Sequence, residues 1–266
     1  PIAGDIWVDV SEYVRSWQVR YGATRGDEPA LRYDAATATI ELNDGDRRFD
    51  PEYLAGPYVS AGVSNIEPMR RVRIRLVWNA VSYPVFYGLA DDFAPQYVGN
   101  DHTVTTLTAT DAQKVFGAYN RGAIAAAGAS ENTGARTTRI LDGISWPAAD
   151  RLISAGNTTG QETTLDGNAL AELQLVQDTE LGEFYVNRDG KVVFRNRQAM
   201  LTEARSNTAQ AVFGDGGLTA TGEIPYADVK PSTGADAMAN RVNITRTGGT
   251  LQTVEDSVSV SRYLVE

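Results

Sequence analysis

An alternating segment that runs directly into a cluster of turn-forming residues constrains the fold more than any other feature of the sequence. Side chains of a strand point to opposite faces with a period of two, so Ala38, Ile40 and Leu42 can share one face while Thr, Glu and Asn occupy the other. Asp44 and Gly45 then end the strand, because Gly tolerates a positive φ and Asp hydrogen-bonds its own turn backbone. The pattern predicts an element of architecture, a strand with one face against a core.

Five further strand signals lie in the first 118 residues. Asn79-Ala80 separates two of them by a spacing suited to a tight hairpin, and Pro84 marks a sheet edge or a bulge because proline cannot donate to the ladder. Six strands with short connections predict an antiparallel barrel or sandwich over residues 1–118. The predicted strands cover Asp5–Val10, Val14–Tyr21, Thr37–Asn43 (the segment above), Arg71–Trp78, Val81–Phe93 and Thr103–Thr110.

Residues 119–205 predict a linker followed by a small α/β domain. The first part, up to residue 134, is rich in Gly, Ala, Ser and Asn, a composition typical of linkers and mobile loops. Two segments with helical spacing follow at Ala135–Ser145 and Ala169–Glu180. Asn168 is the predicted N-cap of the second helix, and Gly182 ends it in the left-handed region. Two strand segments around Asp189-Gly190 predict a hairpin.

Strand signals return in residues 206–266, most clearly at Asn240–Arg246, and predict the start of a second β domain. Residues 255–263 fit a short helix and a strand almost equally well. The strands are too few to close a second barrel. We therefore expect either that the sequence belongs to a longer chain or that its last segment completes a neighbour.

Composition excludes several classes of function. The formal net charge of −10 argues against broad, sequence-independent binding of nucleic acid, because such a surface repels a duplex. No segment approaches the roughly 20 apolar residues of a membrane span, so we expect a soluble protein. The absence of cysteine excludes disulfides, zinc-thiolate sites and cysteine nucleophiles.

The residues that could carry catalysis form no recognisable pattern, and the sequence predicts no enzyme. His102, the single histidine, lies beside Asp101 in a turn without a Gly-x-Ser-x-Gly elbow, and turn histidines are usually solvated. A glycosidase needs two carboxylates about 5 to 10 Å apart across a cleft, whereas Asp91 and Asp92 are strand neighbours that point to opposite faces. We interpret them as a solvated strand end.

No metal and no cofactor is predicted either. The loop from Asn43 to Asp46, with Asp50 beyond it, has the oxygen ligands that calcium prefers, but it lacks the alternate ligand spacing and the closing bidentate Glu of calcium loops. Turn chemistry explains the same residues without an ion. Two glycine-rich segments, at 214–217 and 247–249, lack the strand-to-helix context and the Lys-Ser or Lys-Thr pair of a phosphate-binding loop.

Three arginines, Arg71, Arg73 and Arg75, alternate with apolar residues along one predicted strand. They form either the solvated face of an antiparallel sheet or a surface that pairs with the carboxylates of a partner, since guanidinium groups favour such interfaces. Both interpretations stay open. Aromatic residues inside strand patterns are interpreted as core or interface anchors rather than as a sugar-binding platform, and they include Trp7, Trp17, Trp78 and Phe86.

Several segments follow one another in a specific order along nearly the whole chain, although none is diagnostic alone. They are Trp-Val-Asp-Val at 7–10 with a strand at 17–21, Ala-Thr-Ile-Glu-Leu-Asn into Asp-Arg-Arg-Phe-Asp-Pro at 38–51, Arg-Arg-Val-Arg-Ile-Arg at 70–75, and the segments 83–88, 106–112, 140–142, 146–147, 189–195 and 240–249. In this order they resemble the hub, or minor tail, proteins of tailed bacteriophages, especially of long-tailed phages of actinobacteria.

The resemblance implies a structural protein of the virion, made in the host cytoplasm and placed at the distal end of the tail. It implies tail-tube-like antiparallel β-barrels, two per chain around the α/β domain, so that a homotrimer mimics a six-fold ring, continues the tail tube and gates the channel. The implied partners are adjoining distal tail and tape-measure proteins and other tail-tip or receptor-binding proteins. DNA would slide through the acidic channel without specific binding.

In such a ring, five arginines become candidate contacts between subunits: Arg47, Arg48, Arg71, Arg73 and Arg75. Reversing the charge at the first two should weaken assembly without unfolding the barrel. Two alternatives to the hub remain. One is a tail-borne hydrolase of cell wall or polysaccharide that uses carboxylates such as Asp91 or Glu183, and the other is a carbohydrate-binding host-recognition module with exposed Trp or Tyr.

Overall fold

A curled antiparallel sheet and a small α/β layer make the chain mainly β, as predicted from the sequence. The computed structural model describes residues 7–25, 31–98, 102–118, 124–125, 130–214, 222–226, 228, 230, 240–245 and 249–263. The chain divides into two compact units, Pro1–Thr208 and Ala209–Glu266. Within the described ranges no helix has the length and apolar character to span a membrane.

Five strands of the first unit form one antiparallel sheet in the order β1-β4-β9-β8-β7, and two short hairpins, β2-β3 and β5-β6, lie outside it. Among the described strands β1 and β7 are edges and do not pair with each other, so the sheet is a curled half-barrel. The strands are β1 (Val14–Arg20), β2 (Ala23–Arg25), β3 (Leu31–Tyr33), β4 (Thr37–Asn43), β5 (Val59–Ser60), β6 (Val63–Ser64), β7 (Arg71–Trp78), β8 (Val81–Val98) and β9 (His102–Thr110).

The curl of this sheet brings its two sides together at one point. The hydroxyl of Tyr21, just beyond β1, donates to the carbonyl oxygen of Val85 in β8 at 2.6 Å. Burial of the ring raises the pKa of Tyr21 to about 12, and the nearby Arg188 only partly offsets that rise, so the hydroxyl stays a donor at neutral pH. This bond ties the residue after β1 to the part of β8 that lies beyond its pairing with β9.

The core of the sheet confirms the alternation predicted for β4. Its residues alternate strictly between exposed and buried, and Ala38, Ile40 and Leu42 are the buried ones. They pack with apolar residues of β8 and β9, among them Phe93 and Leu107. The buried face of β4 therefore stabilises the sheet, since burial of apolar area is the main favourable term in folding.

The strand predicted at Asp5–Val10 is wrong for its described part. Residues 7–10 carry no strand pairing, and a turn of 3₁₀ helix follows at Ser11–Tyr13. The cause is Asp9, whose Oδ1 accepts hydrogen bonds from the backbone N–H of Ser11 at 2.9 Å and from its hydroxyl at 2.6 Å. Such a side-chain turn competes with strand formation.

Beside the sheet lies the α/β layer, a three-stranded sheet in the order β11-β14-β13 with helices packed on it. Strands β13 and β14 are the predicted hairpin, while β11 pairs parallel to β14 and was not predicted. The elements are α1 (Gln113–Ala118), β10 (Glu131–Asn132), α2 (Thr133–Gly143), β11 (Arg151–Ile153), β12 (Thr159–Gly160), α3 (Ala169–Glu180), β13 (Glu183–Val186), β14 (Val192–Arg195), α4 (Ala199–Thr202) and α5 (Ala204–Asn207).

The ends of the helix α3 follow the capping rules with one correction. Asn168 is the N-cap, as predicted, because its Oδ1 accepts from the backbone N–H of Leu170 at 3.0 Å and of Ala171 at 3.3 Å. The left-handed residue at the other end is Leu181 and not Gly182. Gly182 is needed for space, since a Cβ there would lie 2.3 Å from the carbonyl oxygen of Arg195.

The core of the α/β layer also includes a residue from the region predicted as barrel. Phe116 of α1 is fully buried and packs edge-to-face on Trp146, with ring centroids 4.9 Å apart, and next to Phe184. The helix that follows β9 therefore belongs by its packing to the α/β layer. Of the predicted linker only residues 124–125 and 130–134 are described, and Ile124 bridges to Leu165.

The second unit contains two small sheets and a helix. Strand β15 (Val212–Gly214) pairs parallel with β16 (Glu223–Pro225), and β17 (Arg241–Ile244) pairs antiparallel with β18 (Gln252–Glu255). Helix α6 (Ser257–Tyr263) follows, so the ambiguous segment contains the end of a strand and then a helix. The boundary is set by Asp256, whose Oδ1 accepts from the backbone N–H of Val258 at 3.1 Å and of Ser259 at 3.0 Å.

Candidate functional site

A long hairpin, β7-β8, projects from the sheet and carries several exposed apolar side chains, among them Trp78 and Val77. Its turn has positive φ at both central residues, Asn79 (48°) and Ala80 (61°), as in a type I′ turn. Residues 81–88 of β8 pair with β7, whereas pairing with β9 begins only at Leu89. The hairpin is therefore a two-stranded arm beyond the rest of the sheet.

The core-facing side of this arm continues past the core. Val72 and Ile74 pack against the buried cluster of the sheet, but the next residues on the same face are exposed. We call them the arm surface, and they are Leu76 (49% exposed), Trp78 (77%) and their cross-strand partners Tyr83 (48%) and Val81 (49%). Contiguous exposed apolar residues of this kind mark interaction sites in soluble proteins. The strand was predicted, but the exposure of Leu76 was not.

A bulge adjusts the direction of the arm. The pairing register shifts between Ile74, which is opposite Phe86, and Arg75, which is opposite Pro84, so Val85 is the extra residue. The predicted role of Pro84 at an edge or bulge is thereby confirmed. Bulges bend a strand and increase its twist, and this one lies where the arm leaves the core.

The other face of the arm carries the three predicted arginines. The guanidinium carbon of Arg73 lies 4.1 Å from the ring centre of Trp7, and Arg75 approaches Asp189 of the β13-β14 turn, with 3.8 Å between Nη2 and Oδ1. Arg71, partly buried at the start of β7, also has an interaction partner. Together with the turn, Arg73 and Arg75 border a cleft of about 160 Å³. Arg73 and Arg75 thus face a neighbouring part of the same chain.

The loop that follows β4 is built around buried Asp44. Its Oδ1 accepts from the backbone N–H of Phe49 at 2.9 Å, and its Oδ2 from the hydroxyl of Thr105 at 2.6 Å. Burial raises the pKa of Asp44, and the two hydrogen bonds offset only part of that rise. The bond from Phe49 confirms that Asp44 accepts from its own turn backbone, and the bond from Thr105, which was not predicted, holds the loop against strand β9.

Arg47 and Arg48, the other two predicted contact residues, close the same loop. Arg47 has a φ of 58°, donates to Asp50 Oδ2 at 3.0 Å from Nε and 2.6 Å from Nη2, and stacks on the ring of Tyr97. Arg48 lies 4.0 Å from the ring centre of Tyr13 and pairs with Asp46. Both guanidinium groups are therefore engaged within the chain.

The carboxylates that suggested calcium are engaged with protein donors. Asp50 Oδ2 accepts from the hydroxyl of Tyr97 at 2.6 Å as well as from Arg47. Burial would raise the pKa of Asp50, but these hydrogen bonds outweigh it and the pKa lies below its usual value. In the part of the chain that the structure describes, no group of His, Cys, Asp and Glu side chains has the geometry of a metal site.

The two carboxylates considered for hydrolysis are both paired with cations. Asp91 is the extra residue of a second bulge in β8, and it accepts from the hydroxyl of Thr110 at 2.6 Å and pairs with Lys114. Glu183 accepts from the hydroxyl of Tyr33 at 2.8 Å and from Arg195 Nη1 at 2.6 Å. The bulge was not foreseen. The side chain of His102 lies outside the described part of the structure.

One acidic centre was missed by the sequence reasoning. Glu180, fully buried at the end of α3, accepts from the hydroxyl of Thr133 at 2.6 Å and from the backbone N–H groups of Asn157 and Thr158, the latter at 2.9 Å. Burial would raise its pKa, but the hydrogen bonds outweigh it and the pKa is lowered. It joins the loop before β12 to two helices. Glu180 follows the polar residues Gln177, Asp178 and Thr179 at the end of the helix, a sequence typical of an exposed helix end, so the sequence gave no signal of its burial.

Comparisons with known proteins find structural likeness but no family. No family model matches the chain, and no curated protein matches it. Among solved structures, the chain is similar to the 43 kDa tail protein of prophage MuSo2 from Shewanella oneidensis, with a TM-score of 0.36 and 14% identity over 68% of this chain and 56% of that one. The chain thus spans a little over half of that protein's length.

Proposed function

We propose that this chain is a structural protein of a bacteriophage tail that acts by assembling with other protein chains. The arm surface is the observation that carries the proposal. Four apolar side chains on one face, from Leu76 to Tyr83, are 48–77% exposed on a two-stranded projection. The opposite face of the arm packs against Trp7 and the β13-β14 turn, whereas this face is left exposed within the described residues. A contiguous exposed apolar face of this kind is best explained by a partner that covers it.

At a finer level, we propose a place at the distal end of the tail, in a homotrimeric hub ring that joins the tube to the tip and gates the channel. The order of segments along the sequence supports this place. The sheet supports it too, because β1 and β7 are edges among the described strands and unpaired edges invite pairing between chains. The net charge of −10 suits a channel that DNA passes without binding.

The proposal includes no catalysis. Asp91 and Glu183 each pair with a cation of the same chain and each also accept a hydroxyl hydrogen bond, so both carboxylates are already engaged with protein donors. One observation favours a second candidate, the carbohydrate-binding module, because Trp78 and Tyr83 lie diagonally on one exposed face. The aliphatic residues Leu76 and Val81 occupy the other two corners, which favours a protein partner over a sugar.

Sedimentation and native mass spectrometry of the chain test the proposal. A double change, Leu76→Ser with Trp78→Ser, should shift the assembled species to monomer, since both side chains are exposed and their loss leaves the core intact. Val77→Ser is the matched control, because Val77 is 72% exposed on the opposite face of the same strand. A monomeric wild-type chain that binds cell-wall polysaccharide through Trp78 would contradict the assembly role and support the carbohydrate-binding module.

A further inference from the structure

The cleft between the arm and the β13-β14 turn concentrates positive charge in an acidic protein. Arg73 and Arg75 border it from β7, and Arg188 and Lys191 border it from the turn. Asp189 is the single carboxylate among its lining residues. The cleft therefore has the opposite sign to the chain as a whole, whose formal net charge is −10.

These cations are weakly compensated within the protein. Arg75 is 3.8 Å from Asp189, beyond hydrogen-bond distance. Arg73 stacks on Trp7, and Arg188 lies 5.5 Å from the ring centre of Tyr21, so both guanidinium groups keep donors free of the residues that the structure describes. Lys191 forms no ion pair with any residue that the structure describes. Charge-assisted hydrogen bonds from such groups to a carboxylate are about twice as strong as neutral ones.

The strand next to the cleft can accept a polypeptide. Strand β7 pairs with β8 alone among the described strands, so the N–H and C=O groups of its other side face no strand. Arg73 and Arg75 are two residues apart and lie on one face, with a spacing of about 7 Å along the strand. An extended segment with carboxylates at alternate positions has the same spacing. A nucleic acid has phosphates but no backbone that continues a β-ladder.

The turn that completes the cleft is held in place before any partner arrives. Gly190, with a φ of +80°, lies flat against Tyr87, and a Cβ on it would lie 2.3 Å from the ring. The backbone N–H groups of Asp189 and Lys191 both donate to Asn187 Oδ1, at 3.0 and 2.9 Å. A prearranged site avoids the entropy cost of ordering on binding.

We propose that this cleft binds an extended acidic polypeptide segment, which pairs with the free edge of β7 and places its carboxylates against Arg73, Arg75 and the 188–191 turn. The segment is a partner of β-strand type with acidic residues at every second position. The inference does not depend on the tail role, because it follows from charge and strand geometry alone.

The test is a titration of the full chain with two fluorescent seven-residue peptides at low salt, read by anisotropy. One alternates Thr with Glu, and the other alternates Ala with Glu and is N-methylated at every residue, so the charges match but the second has no N–H to donate to a strand. We expect the Thr-Glu peptide to bind at least tenfold more tightly. Equal affinity for both peptides, or no binding of either, would overturn the proposal, as would tighter binding of a single-stranded oligonucleotide of equal charge.

Variants then locate the site. Lys191→Glu and Arg188→Glu should each weaken the Thr-Glu peptide by tenfold or more, since both side chains are on the turn and neither is buried. The matched control reverses Arg15 and Arg20 on β1, at the opposite edge of the sheet and equally cationic. If reversing Arg15 and Arg20 weakens peptide binding equally, the peptide is attracted by overall charge and not by this cleft, which would contradict the proposal. The milder Lys191→Gln keeps the test valid if a reversal disturbs folding.

Discussion

Gly190 packs directly on the ring of Tyr87, so the β13-β14 turn is joined to the arm at this point. No side chain fits between the two, because a Cβ on Gly190 would lie 2.3 Å from the ring. The contact links the α/β layer to the sheet. It explains why the turn requires glycine for two separate reasons, namely the φ of +80° and the approach to the ring.

Replacing Gly190 by Ala should therefore cost more than a change of conformation alone. The left-handed backbone costs an L-residue about 1–2 kcal/mol, and the clash with Tyr87 adds to it, so we expect the free energy of unfolding to fall by more than about 3 kcal/mol. Gly62→Ala is the matched control, because its φ is +78° with no atom within 4 Å of a built Cβ. If urea denaturation shows the same loss for Gly190→Ala and Gly62→Ala, the contact between Gly190 and Tyr87 does not contribute to stability.

Replacing Ala80 by Gly should stabilise the protein. Ala80 has a φ of 61° in the turn of the arm, which strains its Cβ, and glycine relieves that strain at some cost in unfolded-state entropy. We expect a net gain of about 0.5–1 kcal/mol in the free energy of unfolding. Ala94→Gly, in a regular part of β8, should do the reverse. A loss at Ala80 in thermal denaturation would contradict the turn assignment.

Protonation of Asp111 should make the free energy of unfolding increase as the pH is lowered from 7 towards 4. It accepts from the backbone N–H groups of Ala36 at 2.8 Å and Gln113 at 2.9 Å, but burial raises its pKa to about 6 from 3.8. Because the folded state takes up the proton first, its contribution is full below pH 3.8 and is lost as the pH rises through about 6.

The predicted measurement for Asp111 is the difference in unfolding free energy between the wild type and Asp111→Asn. That difference should shift in favour of the wild type by up to about 3 kcal/mol between pH 7 and pH 4. Carbon-detected NMR of the Asp111 carboxyl gives an independent midpoint, expected near 6. A midpoint below 4 would remove the basis of the prediction.

Reversing the charge of Arg47 and Arg48 should disturb the loop itself. Asp50 is buried and would lose its guanidinium partner, and Arg48 would leave the ring of Tyr13. We expect the free energy of unfolding to fall by about 1–3 kcal/mol. If denaturation is unchanged while assembly weakens, the two arginines are subunit contacts as the sequence first suggested. Arg15→Glu, on an edge strand, serves as the comparison.

The elements that the sequence predicted correctly are those whose structure is determined by residues within the element itself. Strand β4 and helix α3 have the predicted bounds, because the period of two fixes one face of the strand and Asn168 caps the helix. The mainly β fold followed from such segments. Strand β11 could not be predicted in this way, since its three residues pair with Val192–Phe194, some forty positions away.

The candidate site was less predictable, because exposure depends on what other elements cover. Leu76 continues the apolar alternation of Val72 and Ile74, and only the shorter reach of β9 leaves it outside the core. The cleft joins two regions more than a hundred residues apart, Arg73 and Lys191. Its one local signal was the presence of cations on both sides of the Asp189-Gly190 turn.

Strand β8 is one continuous backbone from the arm to the loop after β4. Its Val81 end carries the arm surface, and near its other end Tyr97 bonds to Asp50 at 2.6 Å. A hydrogen-bonded strand resists stretching far more than bending, and the two bulges supply the bends. A pulling force on the arm is therefore transmitted along β8, through the middle of the sheet, to the loop that contains Arg47 and Asp50.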